Sequence, residues 1–309
     1  MSKKKDRSLF PPLPESLPAS VIDNHTHVGP DRPGQEQNVV DGQWKYPLLI
    51  DGQVAAMKQV GVSAAITVGC EIPDLDEAIS LAQSDESFYA AIAIHPNEAP
   101  LHAGILEVGP DGLEPRTSPH HSLSLDEAVA EVAKRATADR VVAIGETGLD
   151  YFRTAEEGRL AQQECFRAHI ALAKELDLPL QIHDREAHAD TVRILEEEGA
   201  PERTVFHCFS GDAELAGVLA DNGWYASFAG TVTFPRNEDL RAAARVLPEQ
   251  LIMVETDAPY LTAHPMRGRP NAPYLVAHTV RHLAEVREVD LGSWCERLTE
   301  TTREVYGLD

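Results

Sequence analysis

From residue 20 onward the chain alternates short β-branched runs with longer stretches in which apolar positions return every three or four residues. SVIDNHTH, SAAITVGC, FYAAIAIHP, VVAIGETGLD, PLQIHD, TVFHCFSG, WYASFAG and LIMVETDAPY have the length and composition of strands. Between them, DGQVAAMKQVGV, DLDEAISLAQS, SLDEAVAEVAKRA, EEGRLAQQECFRAHIALAKEL, ADTVRILEEEG, AELAGVLADN and DLRAAARVL carry the helical period. Eight such βα units in a chain of 309 residues predict an α/β fold in which parallel strands close into a (β/α)8 barrel ringed by helices. A last helical region, about residues 273 to 306, would complete the ring.

The first twenty residues stand outside this pattern. MSKKKDRSLFPPLPESLPAS has lysines, prolines and serines without the apolar centre of a secretory signal, and is expected to be a flexible N-terminal arm before a barrel domain over 21–309. Two further segments look like additions: 28–50, rich in Gly, Pro and Asn, and 96–123, which contains PDGLEPRTSPHH. Both follow a strand, so both are expected on the face where a barrel of this type carries its active site.

Charge and cysteine content narrow the partners. Acidic residues number 50 against 27 basic ones, a formal net charge of −23, which disfavours loose attachment to a polyanion unless bound cations supply local positive charge. Four widely separated cysteines (Cys70, Cys165, Cys208, Cys295) form no CxxC pair, and no apolar stretch has the length of a membrane span. The expectation is a cytoplasmic protein with no membrane attachment and no obligate protein partner.

The chemistry lies at the strand ends. His25 and His27 end the first strand, His95 the third, Glu146 the fourth, His183 the fifth, His207 the sixth and Asp257 the eighth. In a parallel barrel these ends converge on one mouth, where imidazole and carboxylate ligands suffice for two cations. Each residue alone has a structural use: a core histidine, an arginine partner, a turn cap. Such uses give no reason for so many ligand-type side chains to gather on one side. Asp23, two residues before His25, is expected on the same strand face, as a partner of a ligand histidine or as a backbone hydrogen-bond acceptor. Glu255, two residues before Asp257, has the same two readings.

Glu146, in the expected tight turn of IGETGLDYF, is the best-placed carboxylate to bridge two cations. Imidazole with carboxylate leans towards zinc, manganese or iron without excluding magnesium. Among cations for phosphate, Arg185 shares a face with His183 if the strand continues, with a salt bridge as its other use. Arg153, Arg267 and Arg269 lie close in sequence to these motifs, and Tyr151 could stack on a base or simply pack. His102, His120, His121, His188, His264, His278 and His282 lack strand-end placement and are read as surface or loop histidines.

DNHTH (23–27), IHPNEA (94–99), IGETGLDYF (144–152), QIHDREA (181–187), FHCFSG (206–211) and ETDAPYL (255–261), in this order, resemble the TatD family of metal-dependent hydrolases, TIM barrels of the wider amidohydrolase group. The resemblance runs from residue 21 through nearly the whole chain. It implies one cation on His25, His27 and Asp257, a second on His183 and His207, and Glu146 shared. It places His95 beside the substrate phosphate. It also implies hydrolysis of phosphodiester bonds in DNA. The mechanism expected at such a site is attack by a water held between two divalent ions (Mg, Mn or Zn), with Asp257 to take or relay its proton and Glu146 and Asp257 as catalytic residues. A small ester, amide or phosphoester as substrate is the alternative. After RGRPN the chain has Ala272 where family members often have a glutamate, so any role of that carboxylate is lost.

Overall fold

The computed structural model describes residues 7–40 and 42–308. Among these, eight strands form one parallel sheet: β1 (Val21–Thr26), β2 (Val62–Gly69), β3 (Phe88–Ile92), β4 (Val141–Asp150), β5 (Leu180–Arg185), β6 (Thr204–Phe206), β7 (Tyr225–Phe228) and β8 (Ile252–Val254). Each consecutive pair is hydrogen-bonded in sequence order, the arrangement that right-handed βαβ crossovers give. The sheet curls until its ends meet. Asp257 N–H donates to the His25 carbonyl at 3.0 Å and His27 N–H to the Ala258 carbonyl at 2.7 Å, so the rim residues themselves stitch β1 to the chain after β8. The architecture is the TIM barrel that the alternation predicts.

Two apolar layers hold it. Ile22, Ile66, Val68, Ala91, Val205 and Met253 fill the interior, and Val305, Tyr306 and Leu308 at the end of the last helix close the end opposite the histidines. The strands' other faces pack against the helical ring, of which α1 (Ile50–Val60), α2 (Ile72–Ser84), α3 (Leu125–Arg135) and α4 (Glu156–Leu176) precede β5. The terminal helical region divides into a 3-10 turn, Pro273–Leu275, and two helices, Val276–Arg287 and Leu291–Tyr306; Glu288, at φ 56°, ends the first.

Residues 10–20, expected in a flexible arm, lie against the barrel. Phe10 and Leu17 are buried, each contributing about 1.5–3 kcal/mol by removing its side chain from water. Tyr274 Oη donates to the Pro11 carbonyl at 2.7 Å, and Leu17 N–H to the Val60 carbonyl at 2.9 Å. Proline and leucine in close succession are a way to run extended chain along an apolar surface. Residues 1–6 of that arm lie outside the described residues.

Of the two additions, the first contains a short hairpin (Val39–Val40 with Gln43–Trp44). The second runs from the helical turn Ala99–His102 to the 3-10 turn Pro119–Ser122.

Candidate metal centre

Glu146 is the hub of the barrel mouth, and it reaches that position from within a strand. Sequence placed it in a tight turn; instead β4 continues to Asp150, with a register shift against β5 between Ile144 and Thr147. The flanking glycines serve close approach to β5: a Cβ on Gly145 would lie 2.4 Å from Gln181 Cβ, and one on Gly148 2.1 Å from the His183 carbonyl oxygen. The bulge and the two bare Cα atoms press Glu146 against its neighbours.

The two carboxylate oxygens face different groups. Oε1 lies 2.6 Å from His183 Nδ1, 2.7 Å from His207 Nε2 and 3.3 Å from His95 Nε2. Oε2 lies 3.6 Å from His25 Nε2 and 3.7 Å from His27 Nε2, and His27 Nε2 is 3.3 Å from Asp257 Oδ1. The His25 and His207 rings stack at 3.8 Å. All six expected metal ligands therefore meet at one place, with His95 among them. Arg185 lies at the exposed rim, its guanidinium 3.9 Å above the Phe152 ring, which replaces the salt bridge considered as its other use.

Proton positions around the hub can be read from its hydrogen bonds. Gln181 Nε2 donates to the Asn24 carbonyl at 2.9 Å and to Tyr306 Oη at 2.7 Å, so its Oε1 accepts from His25 Nδ1 at 3.1 Å. That leaves His25 Nε2 as a bare lone pair, buried and without a hydrogen-bond partner, aimed at a carboxylate oxygen. Two facing acceptors repel each other unless a cation lies between them, so this donor set fits a metal ion. His95 differs: its Nδ1 accepts the Asn97 N–H at 3.0 Å, so its Nε2 carries the proton and is a donor, suited to an anionic oxygen.

Electrostatics repeat the pattern. Burial pushes the Glu146 carboxyl up, but His207, His95 and His183 outweigh it and hold the group well below the usual carboxylate range. Burial likewise opposes charge on His183, yet Asp150 and Glu146 raise it to about 9. Against its own burial, His207 is raised well above the ordinary value by Glu146 and Glu255, while burial and the neighbouring His207 lower His25. Burial dominates at Cys70, whose thiol is pushed up to about 12 and is neutral near pH 7. Burial opposes a proton on His27, yet its neighbours Cys70 and Asp257 raise it well above the ordinary imidazole range; with Cys70 neutral, Asp257 is the anionic partner, and His27 in turn holds Asp257 below its usual range against burial.

Several participants were missed or misplaced by sequence. Asp150 Oδ2 lies 3.1 Å from His183 Nε2, and Cys70 Sγ 3.5 Å from Glu146 Oε2. Glu255 Oε1 is 3.3 Å from His207 Nδ1 and accepts the Cys208 N–H at 2.8 Å, so both of its readings hold. Asp23 takes only the second: it accepts from Thr256 N–H at 2.8 Å and Thr256 Oγ1 at 2.5 Å, tying β1 to the chain after β8. A register irregularity between Asp23 and Thr26 breaks the alternation that would have put it beside His25. The period-two rule would have found Gln181, two residues before His183 in β5, whereas the irregular stretch around Glu146 hides Asp150 from such a count.

Away from the hub, Arg153 pairs loosely with Asp111 at 3.8 Å, Arg267 stacks on Phe234, and Tyr151 Oη donates to Asp190 at 2.7 Å. Of the histidines read as surface or loop residues, His102 is buried.

Comparison with known proteins gives a consistent set. A family model described as TatD related DNase matches residues 22–307. The uncharacterised metal-dependent hydrolase TatD of Mycobacterium tuberculosis is 36% identical over 296 residues, covering 93% of this chain and 98% of that one. The uncharacterised metal-dependent hydrolase YabD of Bacillus subtilis is 30% identical, covering 94% of this chain and all of its own. Among solved structures, YJJV, a TatD homologue from Escherichia coli K12, superposes with a TM-score of 0.76 at 25% identity, covering 94% and 98% of the two chains.

Proposed function

Because this chain belongs to the TatD family of metal-dependent hydrolases, we propose that it hydrolyses phosphodiester bonds in DNA with two divalent cations at the barrel mouth. The observation that carries the reading is the division of Glu146, with Oε1 turned to His183 and His207 and Oε2 to His25 and His27. On this reading His25, His27 and Asp257 would hold one cation and His183 and His207 the other, with Glu146 within reach of both. The donors suit zinc or manganese, and magnesium where water completes the shell. Bound there, such cations would neutralise charge on the phosphoryl oxygens and lower the pKa of water towards neutrality.

The chain's own groups do the rest. Asp257, anionic beside His27, accepts the proton of the attacking water. His95 donates its Nε2–H to a phosphoryl oxygen, and Arg185, braced on Phe152, offers its guanidinium to a neighbouring phosphate. Asp150 and Glu255 hold the outer nitrogens of His183 and His207 and so fix both rings.

The test uses the metal-stripped protein with added Mg, Mn or Zn and end-labelled single-stranded DNA. We expect cleavage, and a loss on the order of 10³-fold in Glu146→Gln, since one shared carboxylate supports several kcal/mol of charge stabilisation. Wild type and variant leaving DNA equally intact would sink the reading. The net charge of −23 favours one alternative, a small ester, amide or phosphoester, which a screen of such compounds under the same metal conditions would expose.

A further inference from the structure

A second imidazole cluster lies in the addition after β3 and shares no residue with the barrel mouth. His102 ends the turn Ala99–His102, and His120 and His121 lie in the 3-10 turn Pro119–Ser122, folded back onto it. Ring centroids are 4.1 Å apart for His120 and His121 and 5.0 Å for His102 and His121. One ring nitrogen of each comes within 4.8 Å of the other two. Glu98 Oε2 enters the same space, 2.6 Å from His121 Nε2 and 3.4 Å from His120 Nε2, and Glu71 Oε2 lies 3.5 Å from His120 Nε2.

The hydrogen bonds assign a role to two of the three rings. Ser118 N–H donates to His121 Nδ1 at 2.8 Å, so His121 carries its proton on Nε2 and gives it to Glu98. His102 donates from Nδ1 to the Leu123 carbonyl at 2.9 Å, which leaves Nε2 as a lone pair. That atom has no partner, in a residue only 5% exposed. A buried acceptor whose ring lies against two further imidazoles, both of them beside the Glu98 carboxylate, is an arrangement of donors without a cation.

We propose that His102, His120 and Glu98 hold a divalent cation of the zinc class, with His121 bracing Glu98 through its Nε2–H. Two imidazoles and a carboxylate are the ligands that borderline cations select, whereas calcium and magnesium favour oxygen. In a tetrahedral zinc site, bonds of about 2.0–2.1 Å set ligand atoms about 3.3 Å apart. His120 Nε2 and Glu98 Oε2 already stand at 3.4 Å, and Glu71 is in reach for the fourth position. The cation would clasp both ends of the loop 103–118. It would also fix the segment that carries His95, since Glu98 follows it by three residues and Asn97 Nδ2 donates to Asp150 at 3.4 Å.

The full chain, stripped with chelator and dialysed against Zn(II) alone, tests this by metal counting. Glu98→Gln and His120→Asn should each bind one zinc fewer per chain than their parent, both with the barrel mouth intact and in a Glu146→Gln background. In the parents zinc should slow amide exchange in residues 103–118, and in the two variants it should not. Equal zinc counts in parent and variants, or no zinc-dependent protection of 103–118 in the parent, would overturn the proposal. Should His120→Asn misfold by circular dichroism, Glu98→Gln, which keeps the side-chain shape, decides the question.

Discussion

At the scale of single residues, the barrel mouth depends on side chains that touch no substrate. Gln181 is one: its amide is fixed by Asn24 and Tyr306, and only in that orientation does its oxygen take the His25 Nδ1 proton and leave Nε2 bare. Gln181→Met keeps the volume and removes the acceptor, so His25 can shift its proton to Nε2 and lose the lone pair its proposed ligand role needs. Loss of such a supporting contact weakens metal binding by about 10–100-fold. Competition against a chromogenic chelator should show that drop, and an unchanged affinity would mean that the His25 tautomer is set by something else. The proposed ligands were legible in sequence because all but Glu146, which β4 carries mid-strand, sit at or just past a strand end, where a barrel gathers them. Gln181 and Asp150 carry no such mark. An uncharged amide and one aspartate among 50 acidic residues become visible only when the strand face is known.

At the scale of elements, helix α4 shows what periodicity conveys and what it hides. The pattern of EEGRLAQQECFRAHIALAKEL gave the helix, and Phe166, Ile170 and Ala173 are buried as an apolar stripe requires. Nothing in the pattern marks His169, which lies on the same stripe fully buried. Its Nε2 accepts the Ile94 N–H at 3.3 Å while its Nδ1 faces the Cys165 carbonyl at 2.8 Å, so helix and end of β3 are joined through a neutral ring. Burial lowers its pKa to about 4. The unfolded chain, with an ordinary imidazole, therefore takes up a proton that the folded chain refuses. Stability should fall as pH drops below about 6.5 and level off near the folded value. Between about pH 7 and about pH 5, metal-free wild type should lose about 2 kcal/mol more than His169→Gln in urea unfolding. Identical pH dependence in the two proteins would show that His169 is protonated in place or compensated by a neighbour. The Glu146 bulge was equally hidden: glycines read as a turn signal serve a strand that needs two close contacts, and a one-dimensional pattern does not separate those uses.

At the scale of the whole molecule, the barrel presents a strongly acidic surface to a proposed polyanionic substrate, with a net charge of −23. Long-range repulsion then opposes encounter, while the cations and Arg185 attract only at close range, because screening confines their influence to about 10 Å. Added salt weakens the repulsion more than the attraction within the mouth. Raising NaCl from about 20 to about 150 mM at fixed saturating metal should therefore increase kcat/KM on a single-stranded oligonucleotide, by about 2–10-fold. A nuclease that binds DNA through a basic groove behaves in the opposite way, since each phosphate contact it makes releases counterions and is lost to salt. A neutral small ester turned over at the same mouth should respond little to salt, because it feels no net field. The sign of the salt effect thus separates the two substrate classes by the field each must cross: a falling rate on DNA would mean that a local cationic path reaches the mouth past the acidic surface.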